Sequence, residues 1–372
     1  MTKNSLSSTN SATPATLPAR YYTDADLFRK ELEHFFCQMW MCAGRASEIS
    51  GVGDYFVREI AGESIIITRD EGDSVRAYFN VCRHRGTRIC ADAKGHFPGR
   101  IQCGYHGWTY GLDGRLMGAP HVRDGFSRFE YPLNSVYCDL WDGHIFVNLA
   151  AQATPFCEQL EDLPEKLRPW RMSDLRTYRR VEYEVKANWK LLVLNYNECL
   201  HCPILHPALN AVTDYLSGEN DPPHSGYIGG SMNFQGDAKT MSKDGKLRRA
   251  YLPHLNQEQR SQVSYYTILP NLFLSLHPDY VMSHTLWPRA VDRTDVICEW
   301  HFDPDEMAKP GFEADDAVEF WDLTNREDWR ISELSQLGIQ SRAYKPGPYS
   351  RAESLPHAFD RMVLEHEKKW SK

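Results

Sequence analysis

The stretch CRHRGTRICADAKGHFPGRIQCGYHGW, residues 82–108, decides how the first half of the chain is interpreted. It opens with Cys82-x-His84 and closes with Cys103-x-x-His106, and each pair stands where a β-rich run gives way to a glycine-containing loop. Two thiolates and two imidazoles from two loop tips can surround one metal site. Such donors suit a structural zinc, or a [2Fe–2S] cluster in which the thiolates bind one iron and the imidazoles the other.

The spacing of the four side chains favours the cluster. Zinc fingers group two Cys closely together and two His closely together, whereas here each loop supplies one Cys and one His. A two-iron cluster held between two loops requires this distribution. Cys90, between the loops, is interpreted as a small buried apolar side chain. We expect Arg85, Tyr105 and Trp108 to shield or hydrogen-bond the cluster.

The sequence around this stretch predicts an antiparallel all-β module from about residue 50 to 150. Short β-rich runs are separated there by turn residues. The runs are DYFVREI (54–60), ESIIITRD (63–70), VRAYFNVC (75–82), RIQCGYHGWTY (100–110) and LWDGHIFVNL (140–149). A helical pattern at 155–170 and a change of composition beyond it predict a domain boundary near residue 155.

The second half of the chain mixes strands and helices. The segments SYYTILPNLFLSLHPDYVMSHTLWP (264–288) and DVICEWHF (295–302) are typical of neighbouring strands. Residues 313–337 and 356–371 predict helices, the first ended by Gly338. We therefore expect a disordered leader at 1–22, a β domain with an N-terminal helix at 23–155, and a second domain at 156–372.

A second set of metal-ligand residues lies in NWKLLVLNYNECLHCPILHP, residues 188–207. Glu198 and His201 share a helix face, whereas His206 would lie about 140° away on an ideal helix. Pro203 breaks the helix and allows both imidazoles to converge. Cys199 and Cys202 could add zinc ligands, but their spacing directs them to another face, so we expect free thiols.

A third ligand would be an acid on the helix predicted at 313–337. The stripe Phe320, Leu323, Ile331 and Leu334 places Glu327 at its centre and Asp328 at its flank, while Asp322 points away. An acid on an inward face is costly unless it binds something. Periodicity alone favours Glu327.

The two motifs together resemble one enzyme family. CRHRG with CGYHGW resembles the Rieske iron–sulfur motif, and residues 188–207 resemble the mononuclear iron motif of ring-hydroxylating oxygenase α subunits. The resemblance implies an α+β protein with an N-terminal all-β Rieske domain and a catalytic domain whose antiparallel sheet is flanked by helices (helix-grip, START-like). It implies a [2Fe–2S] Rieske cluster on Cys82, His84, Cys103 and His106. It also implies mononuclear Fe(II) on His201, His206 and, from EDWRISELSQ (327–336), Asp328 rather than Glu327.

The resemblance also assigns Glu198 and Asn195. An acid at the position of Glu198 hydrogen-bonds a mononuclear-iron His and, across a subunit boundary, a Rieske His of the neighbouring chain. Most members use Asp there, and the Glu-Cys-x-His-Cys form resembles members acting on quaternary ammonium compounds such as betaines and carnitine. Asn195 resembles a pocket-lining Asn, with a helix-surface amide as the alternative. Members form head-to-tail homotrimers.

These residues predict a terminal oxygenase that hydroxylates a small organic substrate with O2. No dinucleotide-binding glycine motif follows a strand, so we expect electrons from a separate NAD(P)H-dependent reductase, with or without a ferredoxin. An aromatic mono- or dioxygenase, a zinc hydrolase and a pure electron carrier are the alternatives. Aromatic and other large side chains of the 264–288 strands could line the substrate pocket, namely Tyr265, Tyr266, Leu269, Phe273, Tyr280, Met282, His284 and Trp287. We interpret His224, His277 and His284 as structural.

Composition excludes several other classes. The 372 residues carry 42 Lys+Arg against 50 Asp+Glu, a net charge of −8 that does not suggest nucleic-acid binding. No apolar run approaches the roughly 18 residues of a membrane span, and no secretory signal is seen, so a cytoplasmic location with mostly reduced thiols is expected.

Overall fold

The N-terminal segment of the computed structural model is helical. The structure describes residues 14–370. Helices α1 (Arg20–Thr23) and α2 (Ala25–Glu31) are followed by a π-helical turn, Leu32–Phe36. Asp24 caps α2, because its side chain accepts hydrogen bonds from the backbone N–H groups of Asp26 and Leu27. The predicted N-terminal helix is therefore present, in two pieces.

The predicted disordered leader is wrong for the part that the structure describes. Residues 1–13 lie outside the described residues. Leu17, Tyr21 and Tyr22 are buried, and Ala15 forms a β-bridge with Pro348. Composition suggested disorder because apolar residues are few in this segment. The segment is ordered because it packs against and hydrogen-bonds to residues in the last third of the chain.

An antiparallel β unit follows, as predicted. One seven-stranded sheet has the order β1-β10-β9-β4-β3-β2-β5, and a three-stranded sheet has the order β6-β7-β8. The run LWDGHIFVNL forms parts of two strands around an Asp142-Gly143 turn. The strands are β1 (Met41–Arg45), β2 (Asp54–Ile60), β3 (Glu63–Arg69), β4 (Val75–Phe79), β5 (Lys94–His96), β6 (Arg100–Gln102), β7 (Thr109–Gly111), β8 (Leu116–Gly118), β9 (Ser135–Trp141) and β10 (His144–Asn148). Short 3-10 turns cover Ala46–Ile49 and Arg128–Glu130.

The second unit is a seven-stranded antiparallel sheet with helices packed against it. Its strand order is β11-β17-β16-β15-β14-β13-β12. In chain order, its elements and the helices leading to them are α3 (Phe156–Leu160), α4 (Leu163–Leu167), 3-10 turns Arg168–Trp170 and Met172–Asp174, β11 (Arg176–Val185), α5 (Trp189–Tyr196), α6 (Cys202–Leu205), α7 (Pro207–Val212), β12 (Glu219–Asn220), β13 (Tyr227–Asn233), β14 (Gln262–Ile268), β15 (Leu272–Leu276), β16 (Val281–Ala290), β17 (Arg293–Phe302), α8 (Pro304–Met307), α9 (Asp315–Ile339) and α10 (Ser354–Trp370). The predicted α+β class is confirmed. No helix among residues 14–370 is long and apolar enough to cross a membrane.

The inward face of α9 differs from the predicted stripe. Leu323 is 50% exposed and Leu334 is 44% exposed, although both were expected to face inward. The buried face instead carries aromatic and polar side chains, Trp321, Asn325 and Trp329 among them. A hydrophobicity pattern cannot identify such a face, because it assigns a polar side chain to the solvent even where the protein supplies its partner, as His284 does for Asn325.

A buried ion pair joins the N-terminal helices to the second unit. The Nζ atom of Lys190, in α5, lies 2.6 Å from Oε1 and 2.7 Å from Oε2 of Glu31, and both side chains are inaccessible to solvent. The indole N–H of Trp189 donates to the same carboxylate at 2.9 Å. The N-terminal helix, predicted with the β domain, is thus also bonded to helix α5 of the second unit.

We expect Lys190→Met to lower the free energy of unfolding by about 3–5 kcal/mol, because it leaves the Glu31 carboxylate buried without a counter-ion. The double variant Glu31→Gln/Lys190→Met should recover part of that loss. Urea unfolding followed by fluorescence measures both, with Lys190→Met compared against Lys186→Met, an exposed lysine on the preceding segment. Equal losses for the two lysine variants would contradict the proposed importance of the pair.

Candidate metal centres and cavity

The two loops of the first motif have the same backbone turn. Cys82 donates its N–H to Thr87 and accepts from the N–H of Gly86, while Cys103 donates to Trp108 and accepts from Gly107. Gly86 and Gly107 both have positive φ, +75° and +70°, which these tight turns require. The chain therefore builds two equivalent loops, one after β4 and one between β6 and β7, and each presents a Cys and a His.

The four predicted side chains of this motif come together. The thiols of Cys82 and Cys103 are both buried, and the ring centroids of His84 and His106 are 4.7 Å apart. The imidazoles lie nearer the solvent than the sulfurs. Cys90 is buried in the apolar cluster of this unit, in keeping with its predicted packing role.

Aromatic side chains enclose the two loops. Trp108 stacks on His84 with ring centroids 4.9 Å apart, and Tyr105 lies 3.7 Å from His106 by the same measure. Sequence reasoning missed Tyr110, whose hydroxyl is 3.4 Å from Cys82 Sγ and accepts the N–H of Arg83. Alternation along a strand could have indicated it, because Trp108 and Tyr110 are two residues apart and face the same side.

The donor set fits a metal cluster. Burial raises the pKa of the Cys103 thiol, so a thiolate is unfavourable there unless a cation compensates its charge. A cluster held by two thiolates and two imidazoles supplies that cation.

The second motif forms a compact three-residue site. Helix α5 ends at Tyr196, residues 197–201 are not helical, and α6 begins at Cys202 with Pro203 in its first turn. This break brings His201 and His206 to face Asp328 of α9. Asp328 Oδ1 lies 3.4 Å from His201 Nε2 and 2.9 Å from His206 Nε2, and the three ligand atoms lie within 4.8 Å of one another. Two imidazoles and a carboxylate on one side suit Fe(II) with open positions.

Carboxylates hold the outer nitrogen of each imidazole. Glu198 Oε1 is 2.6 Å from His201 Nδ1, and Glu327 Oε2 is 2.7 Å from His206 Nδ1. Both Nε2 atoms are thereby directed to the same point, beside Asp328. Glu327, which periodicity favoured as a ligand, lies on the far side of the His206 ring, away from the point where the two Nε2 atoms meet.

The charge of this site is arranged for a cation. Burial alone would lower the pKa of His201, but hydrogen bonds to Asp328 and Glu198 outweigh it and raise that pKa to about 10. For Asp328, burial is likewise outweighed by the hydrogen bonds from His201 and His206, which lower its pKa. In the absence of metal the site therefore holds protons where a divalent cation would neutralise the acids.

The two cysteines of this motif are joined, contrary to the expectation of free thiols. Cys199 and Cys202 form a disulfide, with their Cα atoms 5.0 Å apart. The expectation assumed a continuous helix through both residues. Because the chain is irregular at 197–201, their Cα atoms come within the range that a disulfide spans.

A cavity of about 290 Å³ opens above Asp328, His201 and His206. Asn195 lines it and donates to Asp328 Oδ1 at 3.0 Å, so this amide is not merely a helix-surface group. The aromatic side chains that line the cavity are Tyr196, Tyr215, Tyr265 and Trp321.

Of the aromatic strand residues predicted for the pocket, Tyr265 alone lines this cavity. Sequence reasoning missed Trp321, although it precedes Asp328 by seven residues, which is two helical turns and the same face. Trp321 and Tyr265 have centroids 6.3 Å apart at 75°, and Tyr196 and Tyr265 have centroids 5.9 Å apart at 86°.

The three histidines interpreted as structural lie outside this cavity. His224 is bonded to Glu161, and His284 Nε2 is 3.1 Å from Asn325 Oδ1. His277 is fully buried, and burial keeps its pKa well below the usual range, so it is neutral.

Comparison with known proteins agrees with both halves of the site. Residues 39–135 match the Rieske [2Fe-2S] domain, and residues 172–368 match the ring hydroxylating alpha subunit (catalytic domain). The chain is 29% identical to the glycine betaine monooxygenase oxygenase subunit of Pseudomonas aeruginosa over 90% of this chain and 85% of that protein. It is also 29% identical to the carnitine monooxygenase oxygenase subunit of Escherichia coli, covering 89% and 86%.

Solved structures show the same fold. The quaternary ammonium Rieske monooxygenase CntA in complex with L-carnitine has a TM-score of 0.78 at 24% identity, covering 95% of this chain and 96% of that one. Naphthalene 1,2-dioxygenase from Rhodococcus sp. has a TM-score of 0.75 at 20% identity, with 94% of each chain covered. The chain belongs to the ring-hydroxylating α-subunit family and is a Rieske non-haem iron oxygenase, with a [2Fe–2S] cluster and a mononuclear iron as its cofactors.

Proposed function

We propose that the protein is the oxygenase component of a monooxygenase acting on a quaternary ammonium compound. The observation that carries the proposal is the position of His201, His206 and Asp328 at the floor of a cavity walled by tyrosine and tryptophan. Similarity to betaine and carnitine oxygenase subunits supports it. An aromatic substrate would also suit aromatic walls, and the experiment below separates the two.

The cofactors are assigned to residues as follows. Cys82, Cys103, His84 and His106 hold the Rieske cluster, and His201, His206 and Asp328 hold Fe(II). When bound, the cluster supplies one-electron transfer and Fe(II) supplies the activation of O2. Glu198 and Glu327 keep the imidazoles oriented, and Asn195 orients the Asp328 carboxylate.

The aromatic walls suit a trimethylammonium group. A ligand cation against the face of Trp or Tyr gains about 0.5–2 kcal/mol, with the larger value in a desolvated site. Tyr265 and Trp321 meet nearly edge to face, so two ring surfaces at an angle are offered to one rounded cation. Tyr265 lines the same cavity as Asp328, and burial, with a smaller contribution from the Asp328 charge, raises the pKa of Tyr265. The proposed cage thus adjoins the proposed iron site.

The chemistry on such a substrate is an oxygen insertion into a C–H bond. The substrate C–H, O2, two electrons and two protons give C–OH and one water. If the carbon is an N-methyl group, the product loses formaldehyde and leaves the demethylated amine. The electrons come from a separate NAD(P)H-dependent reductase, with or without a ferredoxin.

We also propose a head-to-tail homotrimer, in which Glu198 reaches a Rieske histidine of the neighbouring chain. Glu198 retains 17% side-chain exposure. Large apolar side chains are exposed beside it, with Ile204 at 88% and Leu200 at 37%, and Tyr105 on the Rieske loop is 58% exposed. Apolar groups around both iron sites support a contact between chains at these two places.

The function is tested with anaerobically purified protein. We expect a coloured protein with iron–sulfur absorption, and O2 uptake that betaines, carnitine or choline stimulate in the presence of a generic reductase. Formaldehyde or another oxidised product identifies the bond attacked. If only aromatic acids stimulated O2 uptake, the substrate would be an aromatic compound and not a quaternary ammonium compound. A colourless protein that contains zinc would indicate the hydrolase alternative.

The choice between the two neighbouring acids of α9 is tested by metal content. Asp328→Ala should lose the mononuclear iron and keep the two cluster irons, because it removes the carboxylate beside both Nε2 atoms. Glu327→Ala should keep more of the mononuclear iron, since it removes only the partner of His206 Nδ1. The measurement is the iron content per chain of the two variants, with the sulfide content giving the cluster occupancy. If Glu327→Ala lost more of the mononuclear iron than Asp328→Ala, Glu327 would be the ligand.

The role of Glu198 is tested by an isosteric change. Glu198→Gln should leave both metals loaded while turnover falls at least tenfold, because the amide cannot hold His201 and the neighbouring chain as the carboxylate does. The direct measurement is the rate at which the prereduced cluster is reoxidised with substrate and O2 present. Loss of mononuclear iron from this variant would instead make Glu198 a ligand.

A further inference from the structure

One exposed basic side chain, that of Arg351, lies at the rim of the cavity without a protein partner among residues 14–370. Arg351 lies in the loop between α9 and α10. It lines the cavity together with Asn220 of β12 and Leu355 of α10. Apart from His201 and His206 of the metal site, no other basic residue lines it. Among residues 14–370, no carboxylate or hydrogen-bond acceptor is found within bonding distance of the Arg351 guanidinium. By contrast, buried Arg249 is paired with both Asp279 and Asp316.

The backbone around Arg351 is held in place. Tyr349 donates its N–H to the carbonyl of Pro14 and its hydroxyl to Asp360 Oδ2, at 2.8 and 2.6 Å. Ser350 N–H donates to Glu353 Oε2 at 2.7 Å. The amide of Asn220 donates to Ser354 Oγ at 2.9 Å and ties the loop to the edge strand β12. Arg351 therefore starts from a fixed point at the rim of the cavity.

This rim lies across the sheet from the proposed cage. Asn220, Gly230 and Tyr265 form one register row through β12, β13 and β14, and all three line the cavity. Two strand spacings separate Asn220 from Tyr265, about 10 Å. Gly230 places no side chain between them, and it lets β12 pack close, since a Cβ there would collide with the backbone of Glu219 and Asn220.

The acids of the cavity cannot neutralise Arg351, because they are already engaged. Glu198 is bonded to His201, and Asp328 is bonded to both histidines and to Asn195. The cavity thus offers aromatic faces for a cation on one side and an unpaired guanidinium on the other. A guanidinium binds a carboxylate in a bidentate manner, through two parallel hydrogen bonds to a charged group. A hydroxyl or an ester lacks that negative charge and cannot form the same pair.

We infer that Arg351 binds the carboxylate of the substrate, so that the enzyme prefers a zwitterion with a trimethylammonium group and a carboxylate over a quaternary ammonium alcohol. The inference rests on the proposed function and adds a residue that determines specificity within it. Arg351 contacts the substrate remote from the bond that is oxidised, so its loss should raise KM and leave kcat nearly unchanged.

The test uses holoenzyme with a generic reductase and two matched substrates. The first is whichever of glycine betaine, carnitine and γ-butyrobetaine wild type oxidises best, and the second is its methyl ester, which keeps the cation and lacks the negative charge. In Arg351→Leu we expect KM for the acid to rise roughly 10- to 100-fold and KM for the ester to change less than about twofold. Arg351→Lys should recover part of the loss. Calorimetric titration of the acid into oxidised holoenzyme should show the same change in Kd.

Arg342→Leu is the matched control, an exposed arginine of the same loop that does not line the cavity. It should behave as wild type with both substrates. Equal losses for acid and ester in Arg351→Leu, or no loss for either, would overturn the inference. A wild type that oxidises choline but no carboxylate would overturn it while leaving the proposed function intact. A wild type that oxidises no quaternary ammonium compound would overturn both.

Discussion

The site depends on hydrogen bonds that the outer nitrogens of two histidines donate to carboxylates. An imidazole on a flexible side chain can turn either nitrogen toward a metal, and the partner of Nδ1 decides which one it presents. Here Glu198 and Glu327 occupy Nδ1 of His201 and His206, so both Nε2 atoms converge beside Asp328. The three acids and two histidines form a continuous set, and each member fixes the next.

The fold brings these side chains together from distant parts of the chain. One group comes from the end of α5 and the break before α6, and the other comes from one turn of α9, about 120 residues later. Helix α5 is itself fixed by the buried pair of Lys190 with Glu31 from the N-terminal helices. The placement of the site therefore rests on contacts that extend from the N-terminal helices to the last third of the chain.

Local motifs and long-range packing differed in how well the sequence revealed them. The α+β class and the cofactor types could be predicted because Cys, His and Gly in these spacings serve few other purposes, and the family comparison confirms them. The ligand roles of individual residues stay predictions, although the geometry brings those residues together. The prediction of a disordered leader failed because the burial of Tyr21 and Tyr22 depends on partners far away in sequence. The disulfide was not predicted because the helix was assumed to continue through Cys199.

The inward face of α9 shows the main reason why hydrophobicity misled. A face that lines a site must carry groups that bind ions or substrate, so Trp321 and Asp328, which line the cavity, and Asn325, which is buried beside them, stand where the leucines of a core were expected. The leucines then appear on the outer side of the same helix, where Leu323 is half exposed. Such an inversion costs stability unless the polar groups are paired. Here Trp321 donates to the Tyr280 hydroxyl, Asn325 is bonded to His284, and Asp328 is bonded to His206 and Asn195. The outward-facing leucines of α9 are therefore consistent with a site built around polar and charged groups, and the guanidinium of Arg351 at the rim of the cavity extends the same arrangement to the substrate.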